Sequence, residues 1–289
     1  ELFVGITSAF AGSPQLSLGN IIGANVTNIS LVAGLSALLT GNVNLRGNLD
    51  SGSRTSTPLG TLLHKKHEFV VALLMGIIPF LLVFDGKLGQ VDGLILLSLY
   101  GAYTMSFFRI RILELARAHK SGFYAFRFLR RFLPLGQKTT KDIARLFIGL
   151  AILLFSAEMI VNIAKELANI ANIPVFLIGL ILLSMGTTLP ELAFSLRSLR
   201  DKEPKMYFGN ILGSVVTNST LILGVTAFIR PIDIVSPIEY VTAVVFFVLI
   251  FCVFWYFVRS KMMLERWEAG ILLVFYIVFI FVELLVQVV

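Results

Sequence analysis

The sequence predicts an all-α polytopic membrane protein whose two halves are inverted-topology copies of one design. Three observations predict it: a composition too apolar for a soluble domain, a series of apolar stretches long enough to cross a bilayer, and a ten-residue phrase written twice. Of 289 residues, 57% are hydrophobic and 14% charged, and the mean hydropathy is +0.88. Soluble domains carry about 25% charged residues, so this balance belongs to a bilayer.

Crossing the hydrocarbon core as a helix takes about 20 apolar residues. In chain order, a partial span covers 1–11 and the turn Gly12-Ser13-Pro14 ends it. Full spans follow at 20–40, 69–85, 91–110, 144–166, 174–199, 207–228, 238–258 and 267–289, with Pro231 and Pro237 marking one of the breaks. Residues 41–67 are polar and rich in Gly, Ser and Thr, and read as a flexible loop. Residues 111–141 mix bases with aromatics, as does a helix lying on anionic lipid or an ordinary positively charged linker. The chain divides into a first repeat (1–110), a linker (111–143) and a second repeat (144–289).

The net charge of +7 does not read as nucleic-acid binding, because the bases flank apolar spans instead of forming a patch. Segments 40–68, 109–145, 197–206 and 259–266 hold 4, 10, 4 and 3 of the 24 Lys and Arg, and only Lys87, Lys165 and Arg230 fall on the other side. Basic loops stay in the cytoplasm, so 109–145 is expected there and the C-terminus on the opposite side. The single Cys252, in an apolar run, reads as a buried thiol. Glu158, with Asn162 one turn on, reads either as lining a path or as a helix–helix bond, and Glu283 as a residue near the interface. His64, His67 and His119 fall in loops, so no proton-relay histidine is evident.

The repeated phrase is GNIIGANVTN at 19–28 and GNILGSVVTN at 209–218. One ungapped register extends the match over 1–34 and 191–224, pairing Glu1 with Glu191, Gly19 with Gly209, Asn20 with Asn210, Gly23 with Gly213, Asn28 with Asn218 and Gly34 with Gly224. The spans holding the two glutamates are five crossings apart, so they traverse the bilayer in opposite directions. Inverted repeats with interrupted helices at the midplane are a recurring design of secondary transporters, with ion sites where the repeats meet.

A carboxylate at mid-membrane must face the bundle interior or a cation. In SMGTTLPEL (184–192), Gly186 and Pro190 can break the helix and free backbone carbonyls beside Thr187, Thr188 and Glu191. These are oxygen ligands of the kind that hard cations such as Ca²⁺ and Na⁺ take, and no His or Cys cluster invites zinc. Asn28 and Asn218 add neutral amide oxygens, and Ser214 lies one helical turn before Asn218, where the first repeat has Ala24. A lone membrane Asn is more often an interhelical hydrogen bond than a ligand, and the repeated glycines read first as close-packing positions.

GTTLPEL followed by GNILGSVVTN resembles the second α-repeat of the cation/calcium exchanger superfamily, which includes the sodium/calcium exchangers. ELFVGITSAFAGSPQLSLGNIIGANVTN resembles the first repeat, entered midway. The resemblance implies ten helices and exchange of Ca²⁺ for Na⁺ by alternating access. It implies that Glu1 and Glu191 coordinate Ca²⁺, that Thr187 and Thr188 are ion ligands, that Ser214, Asn28 and Asn218 sit at ligand positions, and that Ser184 offers its carbonyl. Ca²⁺ and Na⁺ bind as substrates, with no resident cofactor; the other partner is the lipid bilayer, and the sequence does not set the oligomeric state. The chain departs from the pattern at Ala24, where a serine is usual, and at Val215, where an asparagine retained at Asn25 is usual. Asn218 stands where K⁺-dependent members have aspartate, which argues against K⁺ dependence. Aligning Glu1 with Glu191 leaves the first repeat without its opening helix, so the sequence reads as N-terminally incomplete, lacking roughly 45–50 residues if the halves match in size. The alternatives are a Ca²⁺/H⁺ antiporter of the same superfamily and a Ca²⁺-binding channel or sensor. A membrane enzyme is disfavoured, because no nucleophile has an activating base within a span.

Overall fold

Long apolar runs without a polar partner in lipid must satisfy their own backbone, and helices do so within one segment. A computed structural model describes residues 1–41, 43–44, 58–118, 139–234, 237–261 and 263–286. Within these, every predicted span is helical. Helix α1 (Leu2–Phe10) turns at Gly12, φ +79°, into α2 (Pro14–Thr27), which runs through a π-helical turn (Asn28–Val32) into α3 (Ala33–Thr40). Helices α4 (Pro58–Leu82) and α5 (Gln90–Ala118) complete the first half. The second half begins with α6 (Thr139–Ala171). Next comes an interrupted helix of α7 (Val175–Leu177), a π-turn (Ile178–Leu183), α8 (Ser184–Thr187) and α9 (Leu189–Arg200). Helix α10 (Pro204–Val216), a π-turn (Thr217–Ile222) and α11 (Leu223–Ile229) repeat the α2–α3 pattern, and α12 (Pro237–Lys261) and α13 (Arg266–Val286) follow.

The repeat is visible in local geometry. The residue two before the helix-starting proline has a positive φ in both copies: Gly12 before Pro14 and Lys202, φ +60°, before Pro204. The π-turns that follow α2 and α10 end at the same register and start within one residue of each other. A π-turn carries one extra residue per turn and recurs at functional sites; Asn28 is the first residue of one and Asn218 the second residue of the other.

The halves pack reciprocally. A Cβ at Gly34 would lie 2.8 Å from the carbonyl oxygen of Ala269 on α13, and one at Gly224 would lie 3.0 Å from that of Gly93 on α5. Equivalent glycines thus let α3 and α11 press against the last helix of the opposite half, as expected where lipid supplies no hydrophobic drive and close packing holds helices together. Two antiparallel ribbons tie the halves again, β1 (Val43–Asn44) with β4 (Met263–Leu264) and β2 (Lys87–Leu88) with β3 (Ile232–Asp233). The length of α12 separates them, about 37 Å for its 25 residues. No strand is predicted from the sequence, because two residues leave no period to read.

Several expectations are corrected. Helix α4 already begins at Pro58, so the stretch 58–67 is helix and not loop; the rest of the 41–67 loop, and 119–138 with His119, lie outside the described residues, as do the side chains of His64 and His67. Cys252 is exposed, not buried. In a membrane helix the outward face is as apolar as the core, so an apolar neighbourhood does not distinguish inside from outside. Glu283 is fully buried within the bundle, with neither carboxylate oxygen hydrogen-bonded among the described residues. Glu158 and Asn162 are exposed on α6.

Candidate ion site

Two glycines bring α2 into backbone contact with the interrupted helix. A Cβ at Gly19 would stand 2.1 Å from the carbonyl oxygen of Phe176, and one at Gly23 would stand 1.9 Å from that of Leu180; Gly179 returns the fit, 2.3 Å from the Leu16 oxygen. No other residue type can occupy that crossing. It places the break after Thr187 beside the first repeat, where the Thr187 hydroxyl donates to Asn20 Oδ1 at 3.1 Å. Pro190 has no N–H for the carbonyl four residues earlier, that of Gly186, and the helix restarts at Leu189 after Thr188 leaves ideal helical geometry (φ −93°, ψ −2°).

A cavity of about 400 Å³ opens between α1, α9 and α10, lined by Glu1, Glu191, Asn210, Ser214, Thr217 and Asn218 among others. Helix α9 carries Glu191 in its first turn, α10 presents Gly209, Asn210, Gly213 and Ser214 on one helical face, and the π-turn after it adds Thr217. Glu1 Oε1 and Glu191 Oε2 are buried without a hydrogen-bond partner among the described residues. Glu1, Glu191 and Asn218 line the same cavity. Two facing carboxylates in a low-dielectric interior need a cation between them or protons on them. Among the described residues no three His, Cys, Asp or Glu side chains converge, so the remaining oxygens are neutral.

The sequence-predicted residues divide into two sets. Glu1, Glu191, Ser214 and Asn218 line the cavity. Thr187 is not among the lining residues, and its hydroxyl lies 3.1 Å from Asn20 Oδ1 and 3.3 Å from the Ser184 carbonyl. Thr188 is buried and bonds the same carbonyl through its hydroxyl at 2.9 Å and its N–H at 3.1 Å. The Ser184 carbonyl is therefore engaged by its own helix, and the Ser184 hydroxyl donates to Leu180 at 2.6 Å. Asn28 does not line this cavity. It is 1% exposed with both amide atoms unpartnered among the described residues, on a π-turn packed against α9 and α10.

Other cavity residues escaped the sequence reading as ligands. Thr217 and Asn210 line the wall, and Asn210 Nδ2 donates to Ser195 Oγ at 3.3 Å. Asn25 lies behind Asn218 and accepts its amide N–H at 3.2 Å. The available signal for Thr217 was its identity with Thr27 in the repeat; for Asn25 it was the mismatch with Val215.

A polytopic helical bundle with two oppositely directed halves and an oxygen-lined, doubly acidic cavity beside a broken helix defines the class of inverted-repeat membrane transport proteins. Within that class the chain belongs to the sodium/calcium exchanger family: the family described as "Sodium/calcium exchanger protein" matches residues 1–109 and 141–285. The chain is 29% identical over 232 residues to a protein of Alkalimonas amylolytica named "Putative antiporter CaxA", a match covering 80% of this chain and 66% of that one. It is 23% identical over 310 residues to "Sodium/calcium exchanger MaX1" of Methanosarcina acetivorans, covering 98% and 84%. A solved structure of the sodium-calcium exchanger NCX_Mj superposes with a TM-score of 0.57 at 23% identity, covering 96% of this chain and 83% of that one, a likeness of fold. These similar proteins are named as an antiporter and exchangers, not enzymes.

Proposed function

We propose that the chain is a secondary antiporter that exchanges Ca²⁺ for Na⁺ by alternating access. The observation that carries this reading is the cavity itself: two buried carboxylate oxygens, unpartnered among the described residues, share about 400 Å³ with Ser214, Thr217 and Asn218. Glu1 and Glu191 neutralise the two charges of Ca²⁺, and the hydroxyls and amides complete an all-oxygen shell suited to hard cations. Thr187, Thr188, the Ser184 carbonyl and Asn28 join the ligand set as the broken helix and the first π-turn shift toward the cavity. Na⁺ ions compete for the same oxygens, and their differential occupancy biases which side the site opens to. The Methanosarcina relative, named as a sodium/calcium exchanger, supports Na⁺ as the counter-ion.

In this reading 1–110 and 144–289 are the two inverted halves and 111–143 joins them. The Lys and Arg bias supports a cytoplasmic 109–145 and a C-terminus on the opposite side. The test is Ca²⁺ uptake into reconstituted vesicles under an outward Na⁺ gradient, with Glu191→Gln as the probe of the site. Uptake that follows a pH gradient and ignores Na⁺ replaces Na⁺ with H⁺ as the coupling ion. Full Na⁺-driven uptake by Glu191→Gln removes the site.

A further inference from the structure

We propose that Asn25 is a positioning residue that holds the Asn218 amide in ion-binding orientation, and that the mismatch with Val215 leaves the repeat-related Asn28 without such a holder. The inference rests on the reading of the cavity as the ion site.

Asn25 is fully buried one turn before the π-turn Asn28–Val32, where α2 crosses the π-turn Thr217–Ile222. Its amide uses both ends: Nδ2 donates to Ser219 Oγ at 2.9 Å, and Oδ1 accepts from Asn218 Nδ2 at 3.2 Å. Ser219 and Asn218 are neighbours on that π-turn, so Asn25 clamps the turn by two of its side chains at once. The consequence for Asn218 follows from the inventory of a primary amide, two N–H donors and one carbonyl acceptor. One N–H goes to Asn25. The other sits on the same nitrogen and is turned with it. The carbonyl oxygen is the end left for a cation in the cavity that Asn218 lines. Without Asn25 the amide can turn over and present N–H groups to a cation, which repels it, and binding must also freeze a free rotor.

The other half shows what an unheld amide looks like. Asn28 occupies the repeat position of Asn218, and Val215 that of Asn25. Val215 offers no hydrogen bond, and both Asn28 amide atoms are buried without a partner among the described residues. The two amides are equal in sequence and unequal in preparation.

The experiment measures the Ca²⁺ dependence of Na⁺-driven uptake in vesicles for the wild type, Asn25→Leu, Asn218→Ala and the double variant, with melting temperature recorded without Ca²⁺. Asn25→Leu is expected to raise KM for Ca²⁺ about tenfold with the maximal rate within about twofold, the size of one oriented hydrogen bond. In the double variant KM should equal that of Asn218→Ala, because Asn25 acts only through Asn218. Asn25→Ser keeps a hydroxyl for Ser219 but is too short to reach Asn218, and should reproduce the KM rise even if Asn25→Leu folds poorly. An unchanged KM in Asn25→Ser, or effects that multiply in the double variant, overturns the proposal while leaving the ion site standing. If Glu191→Gln retains full uptake, the ion site itself fails instead.

Discussion

Residues 19–28 and 209–218 are nearly the same ten letters, yet one copy is buried along its whole length and the other turns a face to the cavity. In the first copy Gly19 and Gly23 are filled to contact by the backbones of Phe176 and Leu180, whereas Gly209 and Gly213 have nothing within 4 Å of a built Cβ. The amides diverge in the same way: Asn20 is bonded by Thr187 of the opposite half, while Asn210 bonds Ser195 of its own half. A repeated sequence thus supplies the same parts twice, and what packs against each part decides whether it is a joint or a wall.

That contrast can be broken experimentally. The largest effect is expected at the wall: Glu191→Gln should lower apparent Ca²⁺ affinity about 100-fold, roughly 2.7 kcal/mol, read from the Ca²⁺ dependence of vesicle uptake. Next is the joint. Gly23→Ala should destabilise the protein by at least about 1–3 kcal/mol, the usual cost of overpacking, because Leu180 backbone occupies the space of the new methyl. The control is Gly149→Ala on α6, where nothing lies within 4 Å; it should be neutral or stabilising by up to about 1 kcal/mol from helix propensity. Melting in detergent ranks the three proteins, and an equal loss for both glycines would dissolve the distinction.

Smaller effects test the polar joints. Ser17→Ala removes the 3.1 Å bond between the Ser17 and Thr226 hydroxyls that ties α2 to α11, and should cost about 0.5–1 kcal/mol in the same melting assay. The smallest change is expected at Cys252. It is exposed on α12, so Cys252→Ser should stay within about 0.5 kcal/mol of the wild type.

Much of the fold was legible in the sequence because its signals are local and long. Apolar runs of span length and turn signals such as Gly12-Ser13-Pro14 each report on their own segment, and the helices fall where those runs lie. The glutamates, Ser214 and Asn218 were legible for a different reason: oxygen side chains kept at equal repeat positions inside apolar helices are costly without a purpose. What the sequence could not carry was facing. Cys252, Glu283 and Glu158 all sit in apolar runs, and since lipid and protein interior are alike apolar, the run does not say which side of its helix looks inward.

By itself, then, the sequence determined the class of protein, the order of its apolar helices, the repeat that relates its halves and the chemistry of the donors it brings to the membrane. Tertiary structure alone decided how those donors are shared out. It set which glycines touch backbone, joined β1 to β4 and β2 to β3 across the halves, and bonded Asn25 to Asn218 across 193 positions of chain. The physical reason is range. Propensity, hydropathy and charge act on a segment and its solvent, and are written in the segment. A hydrogen bond between two buried amides depends on ångström placement of two distant helices, and it exists only once the packing of small residues has fixed how closely those helices cross.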